Sequence, residues 1–225
     1  MKSQGILMKN KINPILNFGL ITLFTMVSAL VQADTFNEGV DYTRLPQPGK
    51  VEQPGKIEVR EFFSFACPHC FTLEGYTKDW KKTLADDVNF VMTPAAFRKD
   101  WEPLARAYYI AESLDKLDTI KPKLFETIHV KKKPMDTEEN LATFFADYGV
   151  NEADFKKLYN SFSIRVKEKQ GMALAKAYQL RGVPAMVVNG KYMVNSQTGK
   201  TYDHLLKVAN FLIEKERAAG ATAAK

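Results

Sequence analysis

Residues 57–70 read I-E-V-R-E-F-F-S-F-A-C-P-H-C, and this stretch decides the fold. Its first nine residues, Ile57 to Phe65, are rich in β-branched and aromatic side chains, as strands are. Cys70, Leu73, Thr77, Trp80 and Leu84 then recur at helical spacing. Cys67-Pro68-His69-Cys70 therefore sits where a strand turns into a helix. Pro68 falls in the first helical turn, where a missing N–H costs nothing. Val88 to Thr93 is a second strand, and two parallel strands around one helix make a right-handed βαβ unit.

Upstream, Pro46, Pro48, Gly49, Pro54 and Gly55 make a turn-rich connection, preceded by a short edge strand over Tyr42 to Leu45. Downstream the texture changes at Phe97. Leu104, Ala107, Tyr108 and Ala111 follow a helical period, as do Ile120, Leu124 and Ile128. Asp136 with Glu139 resembles a capping box for a helix through Leu141, Phe144, Phe145 and Tyr148, with Gly149 as its terminator. Asn151 caps a helix bearing Phe155, Leu158 and Tyr159, and Ser163 to Leu180 is a longer helix stopped by Gly182. Strand signals return in Pro184–Val188 and Lys191–Val194, joined by Asn189-Gly190, a type I′ hairpin turn. Thr201 to Lys215 is a final amphipathic helix, and Ala218 to Lys225 reads as a frayed tail. The order is βαβ, helices, ββα. The fold class is α/β, a thioredoxin fold with an inserted helical subdomain: residues 34–96 and 164–225 form the thioredoxin-like part and 97–163 the insertion.

The first 33 residues read differently. Lys2, Lys9 and Lys11 form a positive segment without acids, Ile15 to Val27 is apolar, and Val31 and Ala33 place a cleavage site after Ala33. The apolar run falls short of the about 20 residues of a membrane span, so it is a secretory signal peptide, removed on export. Loss of its three lysines lowers the formal charge from +6 to about +3. That excess is no argument for nucleic acid, and Lys131-Lys132-Lys133 reads as a solvated loop.

The chain has two cysteines, three positions apart. A stabilising disulfide gains with the length of the loop it closes, so this spacing points to chemistry. A zinc site needs a second ligand pair, and His129 and His204 are remote in sequence. Haem attachment needs His at position 71, where Phe71 stands. No metal or cofactor is implied. At a helix start, unsatisfied N–H groups and the helix dipole favour a thiolate at Cys67. Cys70, one turn inside, is the more buried sulfur, and protonated His69 adds positive charge. Stabilising the Cys67 thiolate favours the reduced form and makes the disulfide a stronger oxidant.

Two further positions join this site. Ile57, Val59, Glu61 and Phe63 share one strand face. Glu61 is either a buried carboxylate of raised pKa that exchanges a proton with Cys70, or a residue paired at the surface. Val183-Pro184 either ends the preceding helix or, in a thioredoxin fold, carries a cis proline facing the cysteines.

The segments Glu61–Cys70, Arg181-Gly-Val-Pro-Ala-Met186 and Val188-Asn-Gly-Lys-Tyr192 resemble the DsbA family of periplasmic disulfide oxidases. The resemblance spans essentially the whole chain after the leader. It implies that Cys67 attacks and is attacked, Cys70 resolves, Pro68 and His69 tune the pair, and Val183 with cis-Pro184 presents backbone to the substrate. Its partners would be unfolded secreted polypeptides with free cysteines and a DsbB-like inner-membrane quinone reductase, with the protein itself a monomer in the periplasm. Relatives often carry a lysine on the strand beside the buried acid; Asn89 to Thr93 has none. The competing readings are a periplasmic reductase or isomerase, and a redox-inactive peptide-binding chaperone on the same fold.

Overall fold

The computed structural model describes residues 35–195 and 198–223. The leader expected at residues 1–33 lies outside them. Five strands form one mixed sheet in the order β1-β5-β4-β2-β3. The strand from the deciding stretch, β2 (Ile57–Phe63), is central: β3 (Val88–Pro94) pairs parallel to it and β4 (Ala185–Val188) antiparallel. Beyond β4 lie β5 (Tyr192–Asn195) and β1 (Thr43–Arg44). Helix α1 (Pro68–Trp80) connects β2 to β3, and α7 (Tyr202–Ala223) closes the chain. Between β3 and β4 run five helices: α2 (Glu102–Ser113), α3 (Leu117–His129), α4 (Glu138–Ala146), α5 (Glu152–Tyr159) and α6 (Phe162–Ala177). This is a thioredoxin fold with an inserted helical region.

The core explains why β2 is central. Val59 packs with Leu73 and Trp80 of α1 and with Leu205, Val208 and Leu212 of α7. Phe62 lies in a second cluster with Ala175, Tyr178 and Val187. Phe63 enters a third, built from Phe65, Tyr108, Phe125, Phe145 and Phe155. Each such burial contributes about 1.5–3 kcal/mol. Both faces of β2 are therefore covered, so the acids on it cannot all reach water. Arg60 and Glu58 solve this by pairing, at 2.9 Å, with Arg60 also donating to Thr93 and Glu52.

Several boundaries differ from the sequence expectation. The cap of α4 is Thr137, whose hydroxyl accepts from the Asn140 N–H; Asp136 stands one residue too early. Ser161 caps α6, which stops at Ala177, and the chain turns through Gln179 at φ 56 before Gly182 is reached. Helix α7 continues to Ala223, so residues 218–223 are helical where a frayed tail was expected. The hairpin turn holds: Asn189 and Gly190 take φ 50 and 62. A Cβ on Gly190 would also meet the Gly49 carbonyl, so glycine is required there twice over.

Candidate active site

The residue before a proline is held out of the helical region, and this sets the site. Cys67 keeps an extended backbone (φ −88, ψ 116) as the N-cap of α1, with Pro68 the first helical residue. Ser64 shapes the turn before it: its carbonyl accepts from the Cys67 N–H, and its hydroxyl from the Ala66 N–H. Cys67 is 6% exposed and Cys70 1%, and both are free thiols. The Cys67 sulfur lies 3.4 Å from the Val183 carbonyl oxygen, and the Val183–Pro184 peptide bond is cis. Two segments 116 residues apart in sequence thus meet at the sulfur.

The two thiols are electrostatically opposite. The Cys70 thiol donates to the Cys67 sulfur. Backbone N–H groups of Cys70 and His69 and the charge of His69 act in the same direction. Together they outweigh burial and lower Cys67 to about 6. Burial, then the neighbouring Cys67, pushes the Cys70 thiol up. At neutral pH, Cys67 is the thiolate and Cys70 keeps its proton.

His69 is exposed, with Nδ1 3.2 Å from the Tyr202 hydroxyl. Tyr202 begins α7, and sequence reasoning missed it. His69, Val183, Pro184, Thr201, Tyr202 and Leu205 line a groove of about 310 Å³ beside the cysteines. Glu61 is buried, opposite Met92 on β3 and Met186 on β4. Its Oε2 has no hydrogen-bond partner. Burial, followed by the charge of Glu74, raises its pKa to about 7, against the pull of Lys121 and Lys81. The surface-paired alternative is therefore excluded. The cations that β3 lacks come from elsewhere: Lys81 follows α1, and Lys121 of α3 pairs with Glu74 at 2.7 Å while reaching the Met92 sulfur.

The two histidines set aside in the sequence have separate fates. His204 bonds Asp41 at 3.0 Å, a contact Lys200 shares. His129 lands on the active-site turn itself, with Nε2 2.7 Å from the Phe65 carbonyl and its ring stacked on Phe71. Among the described residues, no cluster of His, Cys, Asp and Glu is arranged to hold a metal.

A dithiol at a strand-to-helix junction, one sulfur a thiolate beside a cis-proline loop, defines a thiol:disulfide oxidoreductase of the thioredoxin fold. The family described as DSBA-like thioredoxin domain matches residues 58–207. The thiol:disulfide interchange protein DsbA of Pseudomonas aeruginosa is 39% identical over 200 residues, covering 89% of this chain and 95% of that protein. Its counterpart in Azotobacter vinelandii is 37% identical, covering 89% and 93%. The crystal structure of the P. aeruginosa protein superimposes with a TM-score of 0.79 at 40% identity, over 83% of this chain and 97% of that one. The Xylella fastidiosa oxidoreductase DsbA gives 0.76 at 34%, over 81% and 98%. The chain belongs to the DsbA family and is a disulfide oxidoreductase.

Proposed function

We propose that this protein is a periplasmic disulfide oxidase that passes a Cys67–Cys70 disulfide to unfolded secreted polypeptides. The observation that carries this reading is the opposed ionisation of the two sulfurs, which favours the dithiol and so makes the disulfide a strong oxidant. The leader sequence supports export, and no described helix is long and apolar enough to cross a membrane.

In the first step a client thiolate attacks Cys67 of the oxidised protein. The Cys67–Cys70 bond breaks, and Cys70 leaves with the electron pair. Its raised pKa demands a proton, which Glu61, half-protonated near neutrality, supplies. A second client thiolate then attacks the client sulfur of the mixed disulfide. Cys67 leaves as a stabilised thiolate; the client loses two electrons and the protein gains them. An extended client pairs with the Val183 backbone while its side chains occupy the groove beside Tyr202. Reoxidation by a DsbB-like inner-membrane quinone reductase reverses the electron flow, with Cys70 returning its proton to Glu61. The protein acts as a monomer, and residues 97–163 form its helical insertion.

The test mixes stoichiometric oxidised protein with a reduced, unfolded polypeptide and counts remaining thiols. Loss of two client thiols per protein molecule is expected. Client thiols that persist, with client disulfides instead being reduced or reshuffled by the dithiol form, would move the reductase or isomerase reading ahead.

A further inference from the structure

We propose that His129 is a positioning residue for Cys67, a single imidazole through which α3 holds both ends of the active-site turn. This rests on Cys67 being the attacking sulfur.

His129 is the last residue of α3. Its Nε2 lies 2.7 Å from the carbonyl of Phe65, two residues before Cys67. Its ring stacks on Phe71, one residue after Cys70, with centroids 5.0 Å apart and planes 13° apart. Phe125, one helical turn earlier on α3, packs its ring against Phe65, Phe71 and His129 itself. The insertion thus grips the residues flanking Cys-Pro-His-Cys on both sides, and only one of these contacts is a directional hydrogen bond.

A carbonyl can only accept, so Nε2 carries the proton. Burial lowers the pKa of His129, and both its neutral and charged forms can donate through this nitrogen. The contact therefore persists across the working pH range. Its consequence falls on Cys67. The backbone N–H groups of His69 and Cys70 that stabilise the thiolate do so only while the turn directs them at the sulfur. Ser64 fixes that turn from within; His129 fixes it from outside, through Phe65. Free of its donor, the Phe65 carbonyl turns toward water or another N–H and takes the following residues with it.

Three variants of the full chain separate donor from ring. His129→Phe keeps stacking and loses the donor. His129→Asn has an amide too short to reach Phe65. His129→Gln places an amide N–H near the position of Nε2. The readout is thiolate absorbance of the reduced protein against pH, assigned to Cys67 by its loss in Cys67→Ala. In Phe and Asn the midpoint should rise from about 6 to about 7. Preference for the reduced form against glutathione at pH 7 should then fall about fivefold. Gln should restore most of both. Phe and Asn variants that titrate like the parent overturn the proposal. So does a Gln variant as impaired as Phe, because the donor would then not be what matters. If the parent itself lacks the low Cys67 titration, the oxidase reading fails instead, whatever the variants do.

Discussion

Moving the reduced protein from pH 7 to pH 5 should cost it about 1.4 kcal/mol of stability that the oxidised protein keeps. Cys67 has its pKa depressed on folding, from an ordinary 9.0 to about 6. Such a group contributes stability that is fully present above the unfolded value and is lost as pH falls through the folded one. At pH 7 roughly ten in eleven folded Cys67 side chains are thiolate, against about one in a hundred unfolded ones. That difference is worth about 1.4 kcal/mol, or about 30 mV for a two-electron couple. At pH 5 it is below about 0.1 kcal/mol. Cys67 is 6% exposed, so little solvent discount applies. The oxidised protein has no thiol to titrate and is the internal reference, because groups that titrate in both forms cancel. The disulfide's constraint on the unfolded chain, about 2 kcal/mol for so small a loop, is independent of pH. Equilibrium urea unfolding of both redox forms at pH 5, 6 and 7 measures the gap directly. The reduced form should gain on the oxidised form as pH rises. A gap constant across this range would refute the thiolate assignment.

Cys70→Ala should accumulate a mixed disulfide through Cys67 when its thiolate attacks a disulfide-bonded client and displaces one client sulfur as a thiolate, visible by mass spectrometry without reductant, whereas Cys67→Ala should form none. Glu61→Gln should stabilise the protein by about 3 kcal/mol at pH 8 and by little below pH 4.5. The sign follows from a carboxyl whose folded pKa is raised to about 7, which loses stability as pH rises between the two values. The same variant should slow the Cys70 step about a hundredfold in stopped-flow measurements. Lys121→Met should cost about 3 kcal/mol by leaving Glu74 without its buried partner. It should also move the pH midpoint of the Cys70 step upward, because Lys121 holds Glu61 down; an unmoved midpoint would separate the two sites.

The deciding stretch was legible because each of its signals is local. β-branched and aromatic residues, a proline fixing the cap and a helical period carry their meaning within one turn, and β2 and α1 follow from them. Asn189-Gly190 is legible for the same reason. The misplaced cap at Asp136 shows the limit: Asp136 and Thr137 are both competent cap residues, and only the chain's approach to α4 selects Thr137. Gly182 lost its expected role because Gln179 took the left-handed conformation first. The functional partners that were missed all come from distant sequence. Lys121 reaches Glu74 across 47 residues, Tyr202 reaches His69 across 133, and His129 reaches Phe65 across 64. Lysine and histidine on helices are common, so nothing in α3 alone marks Lys121 or His129. The hint was the absence of a cation on β3, which a buried Glu61 made conspicuous.

The central claim is that the asymmetry of Cys67 and Cys70 makes this disulfide an oxidant, and equilibrium titration of the couple against glutathione at pH 7 tests it most directly. The midpoint should lie at least about 30 mV less negative than the about −270 mV of thioredoxin. A midpoint near −270 mV, where reducing thioredoxins lie, would contradict it.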